Sequence, residues 1–271
     1  MLMKFFRKFF KYLHVFQVMA KVSLMVNISS RGTFFIGVFA KMLRAILVVV
    51  FFQAIFFHVK SFAGWDFNEI LLLTTIYLTF EVIVIITFHR NLAYWFPDLL
   101  LRGEFDLTLI RPISPLFFVS FRIIDWFDVT SLPPVIFLWW YVFTQGGFVF
   151  TAFDFTLFLL FLFLGVMFYF GLMIFLAGVA FWTVNPQGVG RLMERVFMAA
   201  KYPVSAFTGH VRTVLLFILP VSLFATLPAE ILLHRSDPWY LIFAFVIACA
   251  VFFGSLLFWK FAIKHYSSAS N

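Results

Sequence analysis

Long apolar stretches recur along the chain, at 33–58, 70–89, 117–143, 155–183 and 239–262. A transmembrane helix needs about 20 mostly apolar residues. The runs are continuously apolar and do not alternate, which disfavours a transmembrane barrel. Only 12% of the residues are charged, and the mean hydropathy is +1.04, where a soluble domain carries roughly 25% charged residues. The sequence therefore specifies an all-α, polytopic integral membrane protein. A lone cysteine, Cys249, excludes an intrachain disulfide and a cysteine metal cluster. The net charge of +8 comes from scattered basic residues, a pattern that fits cytoplasmic loops and not a nucleic-acid partner.

Residues 4–16 form the first recognisable element. On a helical wheel Phe5, Phe6, Phe9, Phe10, Leu13 and Phe16 share one face, and Lys4, Arg7, Lys8 and Lys11 share the other. That is an amphipathic helix lying in the interface of an anionic leaflet. Interleaved basic and apolar residues do not make a cleavable signal. Five spans follow the apolar runs, the fourth ending before Asn185-Pro186. The stretch 187–236 admits two readings. Either 212–233 is the fifth span, or the fifth span is 188–206 and two half-helices dip back into the membrane. Pro203, Pro220 and Pro228 interrupt it, as broken segments require. Both readings give six crossings.

Charge counting sets the orientation. With both termini inside, the inner segments hold Lys4, Arg7, Lys8, Lys11, Lys21, Arg31, Arg90, Arg102, Arg111, Arg122, Arg191, Arg195, Lys260 and Lys264. The outer loops hold only Lys60 and Arg235. That asymmetry predicts cytoplasmic termini.

The sequence contains no phosphate loop, HExxH, CxxC or GxSxG. His58, His89 and His234 fall at span ends, where a polar tip at the interface is the ordinary explanation, and no metal site is expected. Glu81 is the one carboxylate deep in a span, so it must face the bundle or pair. Lys41 and Glu81 each lie about eight residues, or roughly 12 Å, from the inner end of their spans. A pair from Glu81 to Lys41 or Arg44 is expected to pin spans one and two together. A proton-linked role for Glu81 is the competing reading. Asp125 and Asp128 read as charges at the cytoplasmic interface.

Between the second and third spans lies a polar island, 102–116. Asp98 is expected to cap a short helix there, and Arg111-Pro112 to end it. The expected result is a stiff segment parallel to the membrane that displays Arg102, Glu104, Asp106 and Arg111 to a soluble partner.

Arg102-Gly-Glu-Phe-Asp-Leu-Thr-Leu-Ile-Arg-Pro-Ile-Ser-Pro-Leu116 resembles a GxLDxxLLRPxxPL segment of ABC-2 family transporter permeases. A second resemblance runs from Lys201-Tyr-Pro-Val-Ser-Ala-Phe through Val211-Arg212 and Phe217-Ile-Leu-Pro to Leu227-Pro-Ala-Glu-Ile-Leu-Leu233. Thr208-Gly209-His210 departs from it, standing where that family more often has Pro-Gly-Trp. The resemblance implies one permease domain over the whole chain: an elbow helix at 4–30, a coupling segment at 97–115 and a re-entrant outer gate at 204–236. Arg102, Glu104, Phe105, Asp106 and Arg111 would dock two ABC ATPase subunits. Pro203, Pro220 and Pro228 would shape the gate. It further implies a second permease chain, identical or homologous, in a bacterial inner membrane. The chain would be non-catalytic and hold no cofactor, with ATP and Mg²⁺ on the ATPases. Alternatives are a proton-coupled transporter using Glu81 and a membrane-bound lipid-modifying enzyme.

Overall fold

Two capping boxes start the helices at the centre of the bundle. Asp66 accepts from Glu69 N (2.9 Å) while Glu69 accepts from Asp66 N (3.0 Å). Thr151 and Asp154 do the same for each other's backbone, at 3.2 and 2.9 Å. Each box satisfies two N–H groups that a helix start otherwise leaves orphaned. A third start, Asp237-Pro238, combines a side-chain cap with proline in the first turn.

The computed structural model describes residues 2–27, 31–183 and 188–266. In chain order the α-helices are α1 (Leu2–Asn27), α2 (Arg31–His58), α3 (Phe67–Val84), α4 (Phe96–Leu101), α5 (Asp106–Leu109), α6 (Pro115–Phe121), α7 (Leu132–Gln145), α8 (Ala152–Val179), α9 (Gly188–Ala200), α10 (Gly209–Thr213), α11 (Thr226–Leu232) and α12 (Pro238–Lys264). Two π-helical turns, Ile85–His89 and Asn91–Trp95, join α3 to α4 without a break in helical conformation. Among the described residues the only extended pairing is an isolated bridge, Phe62 to Trp65. The helix ends expected at Asn185-Pro186 and the side chains of Lys4 and Phe5 lie outside the described residues.

Among the described residues four helices are long and apolar enough to cross a membrane: Phe34–His58, Phe67–His89, Ala152–Trp182 and Pro238–Lys264. Of these, α3 and α8 form the core, with Ile70, Leu72, Leu73, Ile76, Phe80 and Tyr169 fully buried. Along α2 many large apolar residues stay exposed, among them Phe35, Phe39, Leu47 and Phe57, while Phe52 is buried. α12 packs along α8 through small residues. A Cβ on Gly171 would come within 2.8 Å of Phe252 Cα, so only glycine permits this approach.

The third expected span, 117–143, is not one helix. It divides into α6, a bend at 122–125, a 3-10 segment (Trp126–Ser131) and α7. Arg122, Asp125 and Asp128 fall at this break, where charge cannot enter hydrocarbon unpaired. The freed backbone groups find side chains. Ile123 N donates to Asn91 Oδ1 (2.9 Å), Asn91 Nδ2 donates to Ile123 O (2.7 Å), and Ile124 N donates to Ser23 Oγ (3.2 Å). Pro133 and Pro134 then sit at the start of α7, where their missing N–H groups cost least.

The segment from Pro203 to Leu233 is buried for much of its length. Residues 220–229 are all buried, and Phe224 stacks on Phe80 with centroids 4.5 Å apart. Residue contacts place α9 and its tail antiparallel to α3. Gly190 lies against Ala93 and Tyr94, Lys201 against Tyr77, and Ser205 against Trp65 and Ala63. One end of the bundle thus gathers 59–69, 144–154, 202–206 and 233–240. The other gathers α1, 90–131, 180–183, the start of α9 and the end of α12.

Candidate coupling surface and intramembrane ion pairs

The polar island begins on a helix that is already running. Asp98 does not cap a new helix, because α4 continues α3 through the π turns; its carboxylate instead pairs with Arg102 Nε at 3.0 Å. The wide turn at Asn91–Trp95 precedes Pro97, and its extra residue gives the ring room that a regular helix would deny. The helix stops at Gly103, whose φ is +68. Glu104 N donates to Leu99 O and Gly103 N to Leu100 O, at 3.0 and 3.1 Å. Those two bonds define a Schellman C-terminus, which favours glycine at the left-handed position.

α5 is a single turn, so the island is not one stiff rod. Phe105 and Thr108 point inward, three residues apart, and Leu107 and Ile110 point outward, 60% and 80% exposed. This inside-outside spacing is helical. Phe105 is corrected from its expected docking role. It is fully buried among Phe96, Phe181 and Tyr266, at centroid distances of 5.2–5.5 Å. It anchors the island to the ends of α8 and α12. Arg102 and Glu104 stay exposed and Asp106 is half-buried. Arg111 turns its guanidinium over the Phe118 ring at 4.4 Å. The exposed face therefore combines Leu101, Leu107, Leu109 and Ile110 with a charged rim. The apolar members escaped the sequence reading because that reading followed the charges; the spacing of Leu107 and Ile110 was the available signal.

α1 ties this region down. Lys11 Nζ donates to Pro112 O (2.7 Å), Ser114 N to Tyr12 Oη (3.0 Å), and Trp126 Nε1 to Ala20 O (2.9 Å). Phe6, Phe9 and Phe10 remain exposed on the other side.

Deeper in the bundle, Glu81 meets Arg44, whose Nη2 lies 3.0 and 3.2 Å from the two carboxylate oxygens. Tyr77 Oη donates to the same carboxylate at 3.2 Å. Lys41 instead pairs with Asp128, so α2 is clamped to α3 by one cation and to the 3-10 segment by another. Arg90 Nη1 pairs with Asp125 at 2.6 Å, and Tyr94 donates to Glu194. His89 is buried, not an interfacial tip; its Nδ1 lies 2.7 Å from Tyr169 Oη. Glu81, Asp125, Asp128 and Glu194 are thus each matched to a specific partner from another element, as carboxylates within a membrane require.

A family model described as ABC-2 family transporter protein matches residues 42–270. The chain belongs to the ABC-2 transporter family. Searches of curated proteins and of solved structures give no match. Family membership and the four spanning helices make the chain a multi-pass membrane component of a transport system. In this ABC-2 chain Pro203, Pro220 and Pro228 are all buried. Pro203 and Pro220 each precede a short 3-10 turn and Pro228 lies in the first turn of α11. The Pro-broken segment packs against α8, where Gly165 meets the Leu223 carbonyl.

Proposed function

We propose that this chain is the permease subunit of an ABC exporter. It pairs with a second permease chain, identical or homologous, and couples ATP hydrolysis by two partner ATPases to translocation across a bacterial inner membrane. The supporting observation is the unbroken helical path from Phe67 through Leu101. At 1.5 Å per residue it is on the order of 50 Å long. The path packs against the buried segment 220–229 through Phe80, and its far end carries the exposed face at 101–110. Force applied at the face reaches the distal half of the bundle through one element. ATP-driven closure of the ATPase pair would push the face, and the bundle would respond by rigid-body motion.

Six crossings follow if α7 and α9 span with their extensions. The 3-10 segment plus α7 covers about 33 Å, close to the hydrocarbon thickness. α9 adds about 20 Å before its irregular tail. Both termini are then cytoplasmic, α1 is the elbow helix, and Pro203–Leu233 is the re-entrant outer gate. Glu81 serves as a structural pin, since one guanidinium and one phenol already occupy its carboxylate.

Apolar docking residues ringed by charge suit a soluble partner. The double variant Leu107→Asp/Ile110→Asp tests this. Both side chains point away from the protein, so folding should be unaffected, while the ATPase should be lost on purification in mild detergent. Retention of the ATPase with undiminished transport would remove the docking assignment.

A further inference from the structure

A cavity of about 690 Å³ lies between α1 and the region where the π turns, the bend at 122–125 and the island's end converge. One wall is mostly apolar: Val15, Val18, Met19 and Val22 of α1, with His14 and Ser23 at its two ends. The opposite wall carries Arg90, Arg111 and Arg122. No acidic side chain lines it. Arg90 is neutralised by Asp125. Arg111 and Arg122 form no ion pair among the described residues.

Both guanidiniums lie against the same aromatic ring. Arg111 sits 4.4 Å and Arg122 5.1 Å from the Phe118 centroid, and Arg122 is also 5.3 Å from Trp95. The rings orient both cations and withhold water from one side of each. Burial, and next the charge of Arg111, hold the Arg122 guanidinium below its ordinary value. Two like charges on one ring, at most the sum of their distances from its centroid apart, favour an anion that both can reach. Guanidinium forks match phosphate oxygens in geometry as well as charge.

We propose that this cavity binds an anionic phospholipid. The phosphate would sit between Arg111 and Arg122, with an acyl chain along Val15, Val18 and Val22. The apolar wall distinguishes a lipid from free phosphate, since a soluble anion would have no use for it. α1 carries the lipid-facing Phe6, Phe9 and Phe10, so the cavity opens at the depth where head groups lie. The proposal needs only a membrane beside α1 and stands apart from ATPase docking.

Native mass spectrometry of the full chain in detergent tests it, with phosphatidylglycerol and phosphatidylcholine of identical acyl chains. Wild type should retain phosphatidylglycerol at about tenfold higher occupancy, the effect of roughly one charge-assisted contact. Arg111→Gln/Arg122→Gln should abolish that preference. Val18→Trp, which fills the apolar half and leaves every charge in place, should lower phosphatidylglycerol retention and covers the case of a misfolded double variant. Arg7→Gln/Lys8→Gln, on the exposed face of α1, should keep the preference. Equal retention of the two lipids by wild type overturns the proposal, as does a preference that survives both cavity variants or vanishes in the Arg7/Lys8 control. Millimolar inorganic phosphate should leave lipid retention unchanged. If it displaces phosphatidylglycerol, the site is one for soluble phosphate.

Discussion

The two ends of the bundle are built on opposite plans. At the end holding Glu69 and Asp154, three helices begin side by side, each with an acidic or capping-box start. Their aligned N-termini favour the carboxylates there. Arg235 then bridges to Glu69 at 2.9 Å, and His234 lies 3.6 Å from Asp154. At the island end helices are broken, wound into π turns or reduced to single turns, as they are elsewhere only in the Pro203–Leu233 segment among the described residues. Cations outnumber acids, and a strap helix closes the side. The lesson is a division of labour. Regular starts make one end a fixed frame, and irregular backbone held by side-chain bonds leaves the other able to receive a partner or a ligand.

The largest expected effect breaks the island end alone. Phe105→Ala removes a fully buried ring that joins the island to Phe96, Phe181 and Tyr266, at a cost of about 3–5 kcal/mol. Hydrogen exchange should rise across 96–110 and remain unchanged around Glu69 and Asp154. Equal deprotection of both ends would mean that they are one cooperative unit and that the contrast is only geometrical.

Next comes the frame. Glu69→Ala loses half a capping box and strands Arg235, whose side chain is about half exposed. Solvent screening limits the loss to about 1–2 kcal/mol. A thermal melt of the purified protein should shift down by a few degrees, with the first turn of α3 exchanging faster. A loss below a few tenths would show that the capping hydrogen bonds contribute little there.

How legible this was depends on the physics behind each feature. Burial in hydrocarbon leaves its mark in composition, so α2, α3, α8 and α12 are visible as apolar runs. The depth argument that set Glu81 level with Lys41 uses only rise per residue, so the facing of spans one and two reads from sequence, while the choice of Arg44 over Lys41 does not, because Asp128 takes Lys41. Phe105 does not. Its partners Phe181 and Tyr266 lie far along the chain, and an aromatic in a charged island looks the same whether it faces in or out. The third run failed for another reason. Arg122 and Asp125 were visible as charges, but the break they mark was not, because Asp125's partner Arg90 and the backbone support from Asn91 come from a different helix. His89 misled similarly, because a histidine at a span end reads as interfacial until Tyr169 is placed beside it.

A smaller effect concerns proton uptake near the frame. Burial pushes the Glu230 carboxyl up to about 7, against the opposing charges of Arg212 and Arg235. A folded-state value above the unfolded one means that the folded protein binds the proton more tightly. Ionisation therefore destabilises the fold as pH rises through about 7, and acidification from pH 8 to pH 6 should stabilise it. Glu230→Gln should raise the melting temperature at pH 8 and flatten that slope. A slope unchanged in the variant would assign it to another group.

The smallest expected effect decides how the island is reached from the membrane. A true N-cap aspartate contributes about 0.5–2 kcal/mol, because its side chain satisfies backbone N–H groups that nothing else can reach. Asp98 has no such groups to serve, since the helix preceding it is continuous and its first-turn donors are already bonded within the π turns. What it does hold is Arg102, through a pair whose side chains are 43% and 63% exposed. Exposed pairs at this spacing are worth about 0.3–0.5 kcal/mol. Asp98→Asn should therefore leave the melting temperature nearly unchanged and leave exchange across 91–101 as it was. A full cap's loss, with fraying that starts at residue 98, would instead mean that a separate island helix begins there. Force from a docked partner would then cross a joint before entering the bundle.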